Sequence, residues 1–328
     1  MKIAVYGMTP WEQEELRKLP LRETPEYVFV DDILREETLK YVEGCQAVSI
    51  LSNSVIDDKM AASLKEMGVS FVTTRSTGID HIHKEAVKKY GLGAANVPSY
   101  SPASISEHTI LLILSLLRKM KRNQEMVRAC NYRIDGIRGK ELGAMTVGVM
   151  GSGRIGAITI RILAGFGCKV LVCDPYESEA VKQYGTYVSK EELCKQADLI
   201  VLHCPLIEST YHVVDKDFLA GCKDGAILVN TARGGLMDAA AVLDSLKSGK
   251  LSAFAFDVYE GEDDIVRKDF KGKYPDDPVF KELCQMENVV YTAHVSFFTD
   301  EAARELVRIS TENAVDFLLD GSTKNSIL

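Results

Sequence analysis

The sequence predicts an α/β protein: two Rossmann-like parallel-sheet domains with a cleft between them, the first domain discontinuous. Three observations predict it. Short apolar runs alternate with amphipathic helical patterns along most of the chain. One run, Thr146 to Met150, leads straight into Gly151-Ser-Gly153-Arg-Ile-Gly156, the G-x-G-x-x-G spacing, and a helical pattern follows it. The last helical pattern, residues 299–320, has no strand after it, so the chain returns to pack on its first domain.

Taken in order, strand signals lie at residues 3–6, 27–30, 47–51, 70–73 and 94–97, with helical patterns at 11–19, 33–41, 57–67 and 84–90 between them. Such alternation implies a parallel sheet covered by helices. No glycine-rich phosphate loop occurs here. Ser101-Pro102 then opens a long apolar helix, 101–118, with an N-cap candidate followed by Pro at the first helical position. This helix carries the chain into the second domain. Residues 119–143 are polar and irregular; Tyr132, Arg133, Ile134 and Ile137 suit either a subunit interface or a surface loop. Strands resume at 146–150, 169–173, 199–203, 226–230, 253–257 and 289–292. The expected division is a substrate domain of residues 1–100 and 299–328, and a nucleotide domain of residues 101–298.

Bulk properties narrow the function. At 328 residues, with 46% hydrophobic and 26% charged residues, the chain has the composition of a folded protein with more than one core. A net charge of -8 and the lack of a basic run argue against nucleic acid. Its 8 cysteines are scattered without a C-x-x-C pair, so neither zinc nor a redox dithiol is expected, and a reducing compartment is. His81-Ile-His83 has no third ligand nearby, so no metal is expected. The longest apolar run, 110–117, is too short to cross a bilayer. No signal peptide precedes the first strand. A cytoplasmic protein that binds no membrane is expected.

The glycine turn carries the first chemistry. Gly151 permits the bend out of the strand, Gly153 leaves room for a pyrophosphate, and Gly156 lets helix and strand pack closely, while the helix N-terminus offers N–H groups to the anion. Asp174 ends the next strand about 20 residues past the glycines, where a carboxylate accepts from a ribose 2′-OH and repels a 2′-phosphate. NAD is therefore expected as cofactor in preference to NADP.

Open α/β sheets bind ligands beyond the carboxyl ends of their strands. Beyond the strand ends of the second domain stand Cys204-Pro205, Thr231-Ala232-Arg233, Asp257 with Glu260 and Glu262, and Thr292-Ala-His294. Singly, each has an ordinary reading: a surface salt-bridge arginine, a structural histidine, a solvated acidic loop. Jointly they suit hydride transfer to a 2-oxo acid. Arg233 can fork onto the substrate carboxylate and lean on the carbonyl oxygen. His294 can protonate the developing alkoxide and take the proton back in oxidation. Glu262 can bond the far ring nitrogen, fixing the tautomer and favouring the imidazolium. Asp257 is expected beside the nicotinamide and the arginine, away from the histidine.

The chain resembles the NAD-dependent D-2-hydroxyacid dehydrogenase family. The resemblance rests on Ser76-Thr-Gly-Ile-Asp80, Asn96-Val-Pro-Ser-Tyr-Ser-Pro102, Thr146 to Gly156, Asn230-Thr-Ala-Arg-Gly-Gly235, Phe256-Asp-Val-Tyr-Glu-Gly-Glu262 and Thr292-Ala-His-Val-Ser-Phe-Phe-Thr299. It implies Arg233, Glu262 and His294 as catalytic residues. It implies pyrophosphate contacts at Arg154 and Ile155, the ribose acid at Asp174, and further cofactor contacts at Cys204, Pro205, Thr210, Thr231, Ala232 and Asp257. Thr77 and Gly78 are implied as substrate-carboxylate amides, and Tyr100 as a pocket aromatic. The aromatic pair Phe297-Phe298 resembles the D-lactate and D-2-hydroxyisocaproate branch, with Phe297 facing substrate. Phosphoglycerate dehydrogenases usually carry small residues there, and formate dehydrogenases lack the Glu262 partner. Val55 stands where lactate enzymes of the family have a tyrosine, which makes room for a longer side chain. A homodimer through the nucleotide domain is implied as well. The reading from another class is a non-catalytic NAD-sensing module, similar to the corepressors that resemble this family and retain its catalytic set.

Overall fold

A computed structural model describes residues 1–328, the side chain of Asp263 excepted. The chain divides into two compact units, residues 1–101 with 298–328, and residues 102–297.

The first unit runs β1 (Lys2–Tyr6), α1 (Pro10–Arg17), β2 (Glu26–Val30), β3 (Ala47–Ile50), α2 (Asp58–Glu66), β4 (Phe71–Thr74), α3 (Lys84–Lys89) and β5 (Gly93–Ala95). All its strands pair in parallel, in the order β2-β1-β3-β4-β5. Helices on both faces leave β3 and β4 buried at every position, including the polar Ser49, Thr73 and Thr74. The helix starts are chemically marked. Thr9 and Glu12 form a capping box ahead of α1, with Pro10 at its first turn, and the Asp57 carboxylate accepts from Met60 N at 2.8 Å to start α2.

The second unit runs α4 (Pro102–Leu117), α5 (Met120–Arg128), β6 (Thr146–Met150), α6 (Arg154–Gly165), β7 (Lys169–Cys173), α7 (Glu179–Lys182), β8 (Thr186–Tyr187), α8 (Lys190–Gln196), β9 (Leu199–Leu202), α9 (Lys216–Gly221), β10 (Ala226–Asn230), α10 (Ala239–Lys247), β11 (Leu251–Phe256), α11 (Pro278–Gln285) and β12 (Val289–Tyr291). Its strand order is β12-β11-β10-β9-β6-β7-β8, all parallel. One face packs Phe254, Phe256, Phe280 and Leu283 into a core; the other packs Ile113, Val147, Ile160 and Val229. The winding reverses between β6 and β9, and that reversal opens a crevice at the carboxyl ends of these two strands.

The closing helix, α12 (Asp300–Asp320), belongs to the first unit, as the lack of a following strand implied. It buries Leu306, Val307 and Ala314, and its Phe317 stacks on Phe71 of β4 with ring centroids 4.3 Å apart.

Three local expectations need correction. The helix expected at 33–41 is a 3-10 helix over Glu36–Val42. Thr38 Oγ1 accepts from Arg35 N at 3.0 Å and bonds Ile33 O at 2.7 Å, so these backbone groups are spent on a side chain and cannot start an α-helix there. The irregular stretch 119–143 contains α5, none of whose residues is buried; its apolar residues are only Met120, Met126 and Val127, too few for the sequence to mark a helix. The two-residue strand β8 escaped notice because it is shorter than any period can register.

Candidate active site

The glycine turn sits at the crevice where the winding reverses. Gly151 has φ +99°, and a Cβ there would lie 2.5 Å from Cys204 N, so the turn is pressed against the end of β9. A Cβ on Gly156 would come within 2.1 Å of Gly151 O. Around Gly153 the reverse holds: nothing lies within 4 Å of the position a Cβ would take. Gly153 is also the N-cap of α6 and makes no side-chain cap, so the helix N-terminus begins beside that open space. Asp174 stands beside the turn. Its two oxygens accept from Ser152 N at 2.6 Å and Tyr176 N at 2.8 Å. An ionised carboxylate has about four acceptor positions, so capacity remains for ribose hydroxyls.

The loops beyond β9, β10 and β11 are stitched together. Thr210 Oγ1 donates to Pro205 O at 2.6 Å and accepts from Ile207 N at 2.8 Å, closing the turn that also holds Cys204. Burial pushes the Cys204 thiol up to about 11, so it is not a nucleophile at neutral pH. After β10, Asn230 is fully buried; its amide donates to Arg233 O at 2.8 Å and accepts from Ala232 N at 3.0 Å, which fixes the turn bearing Arg233. Thr231 Oγ1 lies 2.8 Å from Thr109 Oγ1 of α4. Arg233 Nη1 donates to Ala232 O at 2.7 Å, and the guanidinium makes no ion pair among the described residues. A Cβ on Gly234 would sit 2.1 Å from Tyr259 C and 2.2 Å from Glu260 N, so glycine there lets the arginine's turn lie directly on the backbone that leads to Glu262.

His294 and Glu262 meet. His294 Nδ1 lies 2.6 Å from Glu262 Oε1, and the other Glu262 oxygen accepts from Tyr259 N at 2.7 Å. The Phe297 ring stands edge-on to the imidazole, centroids 6.2 Å apart. His294 itself has φ +54°, the left-handed region that a residue with a Cβ occupies at a cost of about 1 kcal/mol or more.

Asp257 holds that conformation. Its backbone oxygen accepts from His294 N at 2.8 Å, Oδ1 accepts from Thr292 Oγ1 at 2.6 Å and Val295 N at 2.9 Å, and Oδ2 accepts from Ser296 N at 3.0 Å. The Asp257 carboxylate, 0% exposed, lies under the histidine's loop and bonds its backbone, while the imidazole itself pairs with Glu262. A buried carboxylate needs fixed donors, and the loop's two N–H groups supply them. In the first unit, Thr77 Oγ1 donates to Val97 O at 2.8 Å, Ser76 Oγ donates to Gly78 O at 2.7 Å, and Tyr100 follows Pro98 half-buried. His81 Nε2 lies 2.9 Å from Thr74 Oγ1.

Sequence reasoning missed Asn230, Thr292 and His108. The first two lie inside motifs whose charged members drew the attention. His108 gave no signal, because it stands among Ser106, Glu107 and Thr109 at the polar start of α4 and completes no motif.

Comparison with known proteins shows the family. Residues 110–296 match the model of the NAD binding domain of D-isomer specific 2-hydroxyacid dehydrogenases. The chain belongs to that family. A D-lactate dehydrogenase of Curvularia clavata is 37% identical over 100% of this chain and 95% of its own length. An aromatic 2-oxoacid reductase of Clostridium sporogenes is 36% identical over 99% of this chain and 98% of its own length. The solved structure of a D-2-hydroxyisocaproate dehydrogenase superposes with a TM-score of 0.88 at 36% identity, covering 100% of this chain and 99% of that one. The protein is thus an NAD-dependent D-2-hydroxyacid dehydrogenase of the D-lactate dehydrogenase-like kind, and the open face at Gly153 with Asp174 beside it fits NAD.

Proposed function

We propose that this dehydrogenase reversibly reduces a small 2-oxo acid, pyruvate or a longer-chain or aromatic analogue, to the D-2-hydroxy acid. The single observation that carries the catalytic assignment is the 2.6 Å contact between His294 Nδ1 and Glu262 Oε1. With Nδ1–H committed to the carboxylate, Nε2 is the edge that exchanges a proton, and it makes no hydrogen bond among the described residues. Bound NADH supplies the hydride for the substrate's C2. His294 Nε2 gives the proton to the carbonyl oxygen as the alcohol forms, and takes it back in oxidation. Glu262 steadies the charged ring during that exchange. Arg233, whose guanidinium has donors beyond the one on Ala232 O, grips the substrate carboxylate.

The remaining assignments follow the family. Gly151, Gly153, Arg154, Ile155, Gly156, Asp174, Cys204, Pro205, Thr210, Thr231 and Ala232 line the cofactor, and Asp257, with no exposed surface, acts from beneath the loop of His294. The first unit is the substrate domain, with backbone amides of Thr77 and Gly78 for the carboxylate and Tyr100 for the side chain; Phe297 adds a second aromatic. Val55, 49% exposed, favours substrates larger than pyruvate, as does similarity to a relative named for aromatic 2-oxoacids. We place the enzyme in the cytoplasm; among the described residues no helix is long and apolar enough to cross a membrane, and all 8 cysteines are free. A homodimer is supported by the exposed apolar side chains of Leu111, Val127, Tyr132 and Ile134 on the second unit, and size-exclusion chromatography with light scattering tests it. The deciding experiment is turnover of pyruvate, 2-oxobutyrate, 2-oxoisocaproate, phenylpyruvate and oxaloacetate with NADH. Highest kcat/KM on 2-oxoisocaproate or phenylpyruvate supports the reading of the pocket. No turnover of any of them would leave a protein that only senses NAD.

A further inference from the structure

Helix α4 reaches three loops of the seven-stranded sheet's carboxyl edge through a short polar stretch. Ser106 Oγ lies 3.0 Å from Ile155 O, at the start of the helix after the glycine turn. Thr109 Oγ1 meets Thr231 Oγ1 at the end of β10. Between them, His108 Nε2 lies 3.0 Å from Thr292 Oγ1, beyond the end of β12.

The His108 contact differs from the other two because it ends on a charge. Thr292 gives its own proton to Asp257 Oδ1, so towards His108 it can only accept. His108 is therefore the tautomer protonated on Nε2, and a directed chain runs from imidazole N–H to hydroxyl to carboxylate. The same ring nitrogen stands 3.7 Å from Asp257 Oδ1. Burial lowers the His108 pKa, with the Asp257 charge pulling the other way, and the chain itself requires only that Nε2 carry a proton.

The far end of the chain is the catalytic loop. Asp257 touches Thr292, His294, Val295 and Ser296, and His294 sits in a left-handed backbone that persists only where its surroundings over-determine it. We propose that His108 is a positioning residue of this dehydrogenase: through Thr292 and Asp257 it holds the loop carrying His294 in the conformation that presents the imidazole to Glu262. This rests on the assignment of His294 as the acid and base.

The test uses the purified full-length enzyme with NADH and, as probes, pyruvate and phenylpyruvate. The variants are His108→Leu, which removes the donor; His108→Gln, whose amide can still reach Thr292; Thr292→Val, which cuts the chain from its other end; and the double variant His108→Leu with Thr292→Val. Readouts are kcat, KM for the acid, NADH affinity by fluorescence and the melting temperature. His108→Leu is expected to lower kcat about 10-fold while KM and NADH affinity stay within roughly twofold, with His108→Gln recovering most of the loss and the double variant no worse than either single. Unchanged kcat in His108→Leu would overturn the proposal. So would a loss that glutamine does not rescue, or losses that multiply in the double variant. Should His108→Leu fail to fold, Thr292→Val and His108→Gln carry the same comparison. His294→Gln separates the two ideas. Normal turnover there defeats the acid–base assignment itself. Inactive His294→Gln alongside unaffected His108 and Thr292 variants defeats only the positioning proposal.

Discussion

At the carboxyl edge of the five-stranded sheet, these polar side chains bond backbone carbonyls, within a turn or in the neighbouring loop: Ser76 to Gly78 O, Thr77 to Val97 O, Asn96 to Thr77 O. At the same edge of the seven-stranded sheet, polar side chains bond other side chains: Asp257 to Thr292, Glu262 to His294, Thr109 to Thr231, Glu260 to His212 at 2.8 Å. Both sheets are open, parallel and helix-covered, so architecture does not explain the difference. The first edge is built to present backbone. The second is built to aim side chains, and it spends a strained residue and a buried charge to do so.

Substitutions can break or sharpen that contrast. The largest effect is expected from His294→Gln, which should lower reduction turnover about 100- to 10,000-fold, read in steady-state kinetics with NADH. Next is acid. Burial holds His81 of the first unit down to about 4, below its ordinary value of 6.5. The unfolded chain accepts a proton in that window and the folded chain refuses it, so stability is intact above pH 6.5 and declines as pH falls towards 4. The loss approaches about 3 kcal/mol at the bottom of the window. Denaturant melts between pH 7 and 4.5 should show it, with a flatter decline in His81→Gln. His203 of the second unit is likewise lowered to about 4 by burial, so His203→Gln should flatten the decline of the other sheet.

Gly234→Ala comes third. Its Cβ would strike backbone of Tyr259 and Glu260, which cannot rotate away, so a destabilisation of about 1–3 kcal/mol is expected, with activity lost as the two loops separate. Asp174→Ala should narrow the preference for NADH over NADPH roughly 10-fold, the worth of a hydrogen bond to a charged group; an unchanged ratio of kcat/KM values would remove the ribose assignment. The smallest effect is expected from Thr77→Val. If the first edge works through backbone, loss of this hydroxyl should cost about 1 kcal/mol of stability and leave turnover within roughly threefold. A large loss of turnover would show that the first edge also aims a side chain.

Much of this was legible before any coordinates. The glycine turn, Asp174 and the alternation of strands and helices are local or periodic signals, and each element they implied is present apart from the tightened helix at Glu36–Val42. That helix failed because Thr38 takes up backbone groups, a competition that a pattern of apolar residues does not encode. The long closing helix was assigned to the first unit by elimination, since it has no strand to precede.

What the sequence by itself determined is which residues stand at strand ends, because hydrophobic periodicity locates strands and the chain direction fixes which end carries the ligand. What only the tertiary structure decided is which of those residues touch. His294 and Glu262 lie 32 positions apart and His108 and Thr292 lie 184 apart, and no period spans such distances. Their meeting depends on how α4, β11 and β12 pack, and on a glycine at position 234 that lets two loops share one place. Asp257 shows the consequence. Its sequence position marked it as a charged residue at a strand end, but its part in holding the left-handed His294 came from desolvation, which required two backbone N–H groups from a loop the sequence could not fold.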